Sequence, residues 1–147
     1  FHEKSTVEKI NKNAFLDSSI QKKIFPSNLL LIDDFSFAKC HNLSSAEFEE
    51  NSKLRSIGSN AFFSSSINSM LVPSNVCTVK ESSFSFCSKL KCIEFLSEKV
   101  TLNYYCFNNC SNLSLISFPN IQEINYDQSS FKGISKNAYI YTPPYTN

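Results

Sequence analysis

Hydrophobic positions recur along this chain with a period far longer than a helical turn or a strand alternation. Two stretches, "SFSFCSKLKCIEF" from Ser83 to Phe95 and "CFNNCSNLSLISF" from Cys106 to Phe118, carry Phe, Cys, Ser, Leu, Ile and Phe at the same offsets, 23 residues apart. Taking one phenylalanine per unit as an anchor extends the pattern to Phe15, Phe37, Phe62, Phe84, Phe107 and Phe131, with spacings of 22, 25, 22, 23 and 24 residues by subtraction. A fixed period of this size is the mark of a repeat architecture. Five residues before each of the first five anchors stands an aliphatic side chain: Ile10, Ile32, Ile57, Val79 and Leu102. In the sixth unit Ile124 stands seven residues before the anchor, which predicts a two-residue insertion there.

After the anchor comes a second apolar group. Leu43, Leu90 and Leu113 are followed by the pairs Ala46 and Phe48, Ile93 and Phe95, and Ile116 and Phe118; Ile67, Met70 and Val72 repeat the spacing one residue earlier. Leu-x-x-Ile-x-Phe is too short for a helix and alternates like a half-buried strand. Pro26, Pro73, Pro119 and Pro143 fall just past this group, where a residue without an N–H ends a strand without breaking its ladder. One short strand per unit cannot bury its own apolar face, whereas stacked units can. Parallel, in-register strands then satisfy each other's backbone groups, and the anchor phenylalanines pile into one core. A connection of roughly 17 residues between strands suits parallel pairing; a hairpin needs far fewer. An antiparallel sandwich is the competing reading of the same short strands.

The units "VCTVKESSFSFCSKLKCIEF" and "LRSIGSNAFFSSSINSMLVPSN" resemble the BspA-like class of leucine-rich repeat, whose pattern runs roughly I-G-x-x-A-F-x-x-C-x-x-L-x-x-I-x-L-P. The likeness covers about residues 5 to 143. "IGSNAF" at Ile57 to Phe62 matches residue for residue, and "NAYIYTP" at Asn137 to Pro143 is similar to the family's usual ending. The resemblance implies a curved, right-handed leucine-rich repeat solenoid of about six repeats of 22–25 residues. Parallel β-strands would line its concave face, with mostly loop, short strand or turn on the convex side. Residues 1–147 would form one such domain, expected to be a fragment of a longer protein because the chain begins at Phe1. Family members are abundant in oral bacteria and in parasitic protists such as trichomonads, where many are surface or secreted proteins that bind host matrix or other cells. Three departures stand out: Lys23 where an inward aliphatic belongs, the irregular "VTLNYYCF", and only 2 glycines. They predict bulged or poorly ordered first and fifth units.

Composition narrows the function classes. A chain of 147 residues, 41% hydrophobic and 14% aromatic, can bury a substantial core and is not a solvated disordered segment. Fourteen basic residues nearly cancel 13 acids, and a net charge of +1 gives no electrostatic reason to expect nucleic acid as a partner. The longest apolar run, Leu29 to Ile32, falls far short of the roughly 20 residues a spanning helix needs, so this segment is not expected to insert into a membrane.

Candidates for chemistry are few. Cys40, Cys87 and Cys110 each lie three residues after an anchor and should form a column of small buried thiols, not bonded pairs. Cys92 should face solvent, while Cys77 and Cys106 fall in the less regular returning segment. The cysteine spacings lack the paired C-x-x-C of a zinc site, so no metal or other cofactor is expected. Only His2 and His41 could act as bases; His41 follows an inward Cys40 and should point outward, so no nucleophile dyad forms and the chain reads as a non-enzyme. Glu47, Glu49 and Glu50 cluster on and after one strand, but without a pocket to serve. Three glycosylation triplets, at Asn42, Asn109 and Asn112, match the number expected by chance from 16 asparagines and 31 serines and threonines.

The remaining candidate surface is the outward side of the strands. On the register above it forms two columns: Lys22, Ser45, Ser69, Cys92, Leu115, Tyr139; and Ile24, Glu47, Leu71, Glu94, Ser117, Tyr141. Apolar side chains, two tyrosines and two glutamates resemble a protein-binding patch more than a sugar or phosphate site. These readings converge on a protein-protein interaction module whose partner is another protein, within a surface or secreted adhesin-like protein. The rival is an intracellular scaffold within a large, for example cytoskeletal, assembly, which free thiols would favour.

Overall fold

The structure, a computed structural model, describes residues 5–144. Each unit contributes two short strands, one on either side of its anchor phenylalanine. The strands that precede the anchors are β1 (Lys9–Ile10), β3 (Leu31–Ile32), β5 (Ser56–Ile57), β7 (Thr78–Val79), β9 (Lys99–Leu102) and β11 (Glu123–Tyr126). Those that follow are β2 (Lys22–Phe25), β4 (Ser45–Phe48), β6 (Ser69–Val72), β8 (Cys92–Phe95), β10 (Leu115–Ser117) and β12 (Tyr139–Tyr141). The odd strands form one six-stranded sheet in chain order. The even strands form a pair, β2-β4, and a four-stranded sheet, β12-β10-β8-β6. Every pairing is parallel, so the antiparallel alternative does not hold. Among the described residues the one helical segment is a 3-10 turn at Gln128–Phe131. The chain is a parallel-strand solenoid of about six turns.

The core lies between the two sheets and runs the length of the stack. The six anchor rings form one column, with centroids 4.9 Å apart for Phe15–Phe37, 5.4 Å for both Phe37–Phe62 and Phe62–Phe84, 5.6 Å for Phe84–Phe107 and 6.3 Å for Phe107–Phe131. Phe25 and Phe95 meet the column edge-on at 5.5 and 6.3 Å, from Phe37 and Phe107 respectively. Offset and edge-to-face rings are the favoured aromatic geometries. Aliphatic residues of the odd strands close the opposite side, with Ile32, Ile57, Val79 and Leu102 all buried. Burial falls at the ends, where each unit has a neighbour on one side only: Phe15 and Phe131 are half-buried, and Ile140, inward in register with Ile116, is 45% exposed.

The turn around each anchor is built from backbone bonds between units. The N–H groups of Phe15, Phe37, Phe62, Phe84 and Phe107 donate to the carbonyls of Ser36, Ala61, Ser83, Cys106 and Ser130, each the residue before the next anchor, at 2.7–2.9 Å. Residues two positions before and two after the anchor adopt the left-handed conformation. They are Asn13, Phe35, Asn60, Ser82 and Tyr105 before it, and Asp17, Lys39, Ser64, Phe86, Asn109 and Gly133 after it, with φ between 54° and 77°. Asn, Asp and Gly tolerate that region; Phe, Tyr and Lys adopt it at a cost.

Two sequence expectations need correcting. The first and fifth units are neither bulged nor irregular. β9 pairs with both β7 and β11, and Cys106 and Phe107 are fully buried. Lys23 fits because it occupies an inner position at the open end, where its ammonium sits 5.6 Å from the Phe15 ring centroid and covers it without being buried itself. The sixth unit carries no two-residue insertion either. Tyr126, not Ile124, lies opposite Leu102, and Ile124 lies opposite Val100. A tyrosine is tolerated at this core position because the last unit is uncovered, and its ring packs edge-on against Phe131 at 5.5 Å.

Candidate functional site

Side chains in a strand alternate between faces, so residues between the inward pairs of each even strand must point outward. Backbone pairing places Lys22 beside Ser45 and Ile24 beside Glu47. It places Ser69, Cys92, Leu115 and Tyr139 in one row, and Leu71, Glu94, Ser117 and Tyr141 in the next. Ile24 is 63% exposed, Leu71 54% and Tyr139 62%, with Leu115 and Tyr141 also exposed. Ser117 departs from the expected exposure: it is 7% accessible, because its short side chain sits in the row between the larger Glu94 and Tyr141. It lines the floor of a dimple of about 220 Å³ that also contains Leu71, Cys92, Glu94 and Leu115.

The rows are not continuous. β4 and β6 are consecutive turns of the stack, yet no ladder joins them; the hydrogen bond from Asn68 N to Ser44 O, at 3.3 Å, links only their approaches. The length of the unit accounts for the break. From the last inward residue of the even strand to the next aliphatic is seven residues in the units of Phe25–Ile32, Val72–Val79 and Phe95–Leu102, but nine in Phe48–Ile57. The additional residues form the turn Glu49–Ser52, with Asn51 left-handed at φ 57°. At the equivalent point on either side, Glu49 N donates to Phe25 O and Leu96 N to Val72 O. Between β4 and β6 the donor would be Pro73, which has no N–H; Pro119 stands at the same point after β10, which still pairs with β8, so it is the longer unit that sets this junction apart.

The break opens a cavity of about 900 Å³ between β4, β6 and the Glu49–Ser52 turn. This overturns the expectation that Glu47, Glu49 and Glu50 have no pocket, since all three line it together with Phe48, Ser69, Leu71, Asn75 and Leu96. Glu49 Oε2 accepts from Ser27 N at 2.8 Å, and Glu47 Oε1 accepts from the Ser45 hydroxyl at 2.9 Å. No lysine or arginine lines the cavity, and the two ion pairs among the described residues, Lys9–Asp33 and Lys99–Glu123, lie elsewhere. The clue in the sequence was the 25-residue spacing between Phe37 and Phe62, the longest in the chain.

The cysteines form no competing site. Cys40, Cys87 and Cys110 are buried in one column, and their thiols donate to the carbonyls of Phe15, Phe62 and Phe84 at 2.9–3.0 Å. Cys106, expected in an irregular segment, is buried just before its anchor, and burial pushes its thiol up to about 12. The Cys110 thiol is also raised, by the neighbouring Cys87 thiol and by burial. Cys92 is half-buried in the outward row and Cys77 is exposed. Among the described residues no group of three His, Cys, Asp or Glu side chains is placed to hold a metal ion, and no helix is long and apolar enough to cross a membrane.

Comparison with known proteins agrees with this architecture. No curated protein matches the chain. Three solved structures share the fold. A leucine-rich repeat protein from Bacteroides ovatus aligns with a TM-score of 0.60 at 24% identity, over 75% of this chain and 32% of its own. The pneumococcal vaccine antigen PcpA aligns with a TM-score of 0.76 at 23% identity, over 88% of this chain and 34% of its own. A leucine rich cell surface protein from Faecalibacterium prausnitzii aligns with a TM-score of 0.55 at 16% identity, over 84% and 48%. The chain thus spans between a third and a half of the length of these structures. The model of the BspA type leucine rich repeat region matches residues 4–143 in six copies, and the chain belongs to that family.

Proposed function

We propose that this chain is a non-enzymatic protein-binding module that engages its partner through the outward face of the even strands, within a surface or secreted adhesin-like protein. The observation that carries this reading is the set of exposed apolar and aromatic side chains Ile24, Leu71, Leu115, Tyr139 and Tyr141, held in rows on paired strands. Aromatic and aliphatic anchors on a rigid scaffold are what protein interfaces concentrate their binding energy in. Leucine-rich repeats typically serve protein–protein interaction. The surface location draws support from two structural neighbours, one described as a vaccine antigen and one as a cell surface protein.

A specific observation favours the second reading, an intracellular scaffold. All six cysteines are free, and the exposed Cys77 and half-buried Cys92 keep accessible thiols, which suits a reducing compartment. One experiment addresses both readings. A photo-crosslinking residue is placed at Tyr139 in the full-length protein in its own cells, with Thr101 on the opposite sheet as the control, and adducts are sorted by cell fraction. The expected result is discrete protein adducts at position 139, absent at 101, in the surface or secreted fraction. Adducts confined to position 101 would overturn the face assignment. Adducts found only in the intracellular fraction would overturn the location.

A further inference from the structure

The dimple on β6, β8 and β10 has the size and lining to hold one side chain. Parallel pairing sets Leu71, Glu94 and Ser117 side by side, with Cys92 and Leu115 paired in the row before them. Its volume of about 220 Å³ lies below the roughly 300–1,000 Å³ of sites that enclose whole small molecules. Two polar groups in it lack partners among the described residues. Ser117, at 7% exposure, follows the inward Ile116, so its hydroxyl faces the dimple, where it makes no hydrogen bond. Beside it the half-buried carboxylate of Glu94 makes neither a hydrogen bond nor an ion pair. Glu47, at the same place on β4, is held by the Ser45 hydroxyl; Glu94 has Cys92 at that position instead. Leu71 and Leu115, both exposed, stand at diagonal corners as apolar walls.

We propose that the dimple receives one arginine side chain of the partner protein, its methylene stem against Leu71 and Leu115 and its guanidinium donating to both the Glu94 carboxylate and the Ser117 hydroxyl oxygen. Each alternative leaves a group unanswered. An apolar side chain would desolvate Glu94 without compensation, and an acidic one would set like charges together. A neutral donor would satisfy the hydroxyl and leave the charge unpaired. The ammonium of lysine is a compact, strongly hydrated point charge, whereas the planar guanidinium is more weakly hydrated and carries its donors in a fixed fork that can serve acceptors on neighbouring strands. Long basic side chains also bury their stems along apolar surface. Tyr139 and Tyr141, exposed on the next strand, add the aromatic surroundings in which interface arginines concentrate binding energy. The proposal rests on the reading of the outward face as a binding surface, and names the side chain that one part of it recognises.

The test titrates the isotope-labelled full chain with capped glycine–serine peptides that carry arginine, citrulline, lysine or glutamate at the central position, read by backbone amide shifts. Citrulline keeps the shape of arginine without its charge. The arginine peptide should move the amides of Glu94 and Ser117 saturably, with affinity that falls as salt rises. Lysine and citrulline should bind more weakly, and glutamate should not bind. Glu94→Gln should weaken the arginine peptide roughly fivefold, as expected for the loss of one partly exposed charge pair. Ser117→Leu, which fills the dimple and leaves Glu94 charged, should abolish the shifts. Both substitutions lie on the outward face, and a thermal melt checks that each variant is folded. Lysine binding as tightly as arginine would overturn the choice of a guanidinium. Equal binding of citrulline, an unchanged affinity in Glu94→Gln, or no saturable shift with arginine would each overturn the proposal. Crosslinks at Tyr139 that persist alongside such a result would refute the dimple assignment alone. Loss of those crosslinks as well would refute the whole-face reading.

Discussion

Replacing Phe84 and Phe15 by alanine in turn should separate a one-dimensional stack from a globular core. Phe84 is fully buried, with Phe62 at 5.4 Å on one side and Phe107 at 5.6 Å on the other. Removing a buried phenylalanine costs about 3–5 kcal/mol through lost transfer free energy and the cavity left behind. Phe84 also loses two ring contacts, each adding about 0.5–1.5 kcal/mol, which puts Phe84→Ala toward the upper end of that range. Phe15 has one ring neighbour, Phe37 at 4.9 Å, and its other face meets the Lys23 ammonium and solvent. With half the burial and half the stacking, Phe15→Ala should cost about 2 kcal/mol. Denaturant titration gives the total loss, and hydrogen exchange read by mass spectrometry gives its distribution. Phe84→Ala should raise exchange from β5 through β9 and remove most of the stability of a domain this size. Phe15→Ala should raise exchange in β1 and β2 while leaving β8 to β12 near the parent. Equal loss in every segment for both variants would mean that the core is shared by the whole chain and that stacking between neighbours does not govern stability.

Further outcomes follow from the thiols, the turns, the ion pairs and the sheet face. An alkylating reagent at neutral pH should modify Cys77 and Cys92 in the folded chain and reach Cys40, Cys87, Cys106 and Cys110 only in denaturant; native labelling of Cys106 at the rate of Cys77 would contradict its burial. Phe35→Asn should stabilise the chain by about 0.5–1 kcal/mol in a thermal melt, because asparagine tolerates the left-handed conformation that Phe35 holds at φ 55°; a loss of stability would mean that the ring's contacts outweigh the backbone cost. Hydrogen bonding from Lys9 and from Asp34 N holds the Asp33 carboxyl below its ordinary 3.8. Its contribution is therefore present above that value and lost as pH falls through the lower folded one, so Asp33→Asn should flatten the acid limb of a stability–pH curve, and an unchanged limb would refute this. With a partner in hand, Leu71→Ala and Tyr141→Ala should each weaken binding by more than about 1 kcal/mol with the fold intact, measured by calorimetry.

The repeat was legible because its anchors are chemically loud. A phenylalanine fixed in every unit, with an aliphatic five residues before it and an alternating pair after it, leaves few ways to pack. The same alternation revealed which residues share the outward rows, since a one-residue slip would have buried Glu47 and Glu94. Other features were quiet. The unit before Pro73 is visibly two residues longer than its neighbours, but nothing in its residues says that the added turn Glu49–Ser52 parts β4 from β6. Ser117 alternates outward as the pattern demands, but burial depends on the size of its neighbours Glu94 and Tyr141, which strand periodicity does not encode. The left-handed turn positions are signalled by asparagine or aspartate at Asn13, Asp17, Asn60 and Asn109, yet Phe35, Lys39, Phe86 and Tyr105 occupy the same positions against their own preference. There the bonds between units override local propensity.

Those turn bonds give the stack a direction. Each anchor N–H donates toward the following unit, as do the N–H groups of the left-handed residues on either side: Phe35 to Ser59 O and Lys39 to Phe63 O, Ser82 to Tyr104 O and Phe86 to Asn108 O. Like the amides of a helix they add in one sense, leaving carbonyl acceptors facing outward at the amino-terminal end and N–H donors at the other. Asp127 behaves as a helix-capping residue would. Its side chain accepts from the backbone N–H of Ser129 at 2.8 Å, and the Ser129 hydroxyl and N–H together hold its carboxyl below the ordinary range. Beside the strands the bonds between units run the other way, as from Gly58 N to Ile32 O and Lys80 N to Ile57 O, so the two ends are unlike in hydrogen-bonding character along the column of turns. At the turns a surface meeting the carboxyl-terminal end must bring acceptors, and one meeting the amino-terminal end must bring donors. Two copies of these turns can continue one another head to tail, whereas head to head they would set carbonyl against carbonyl.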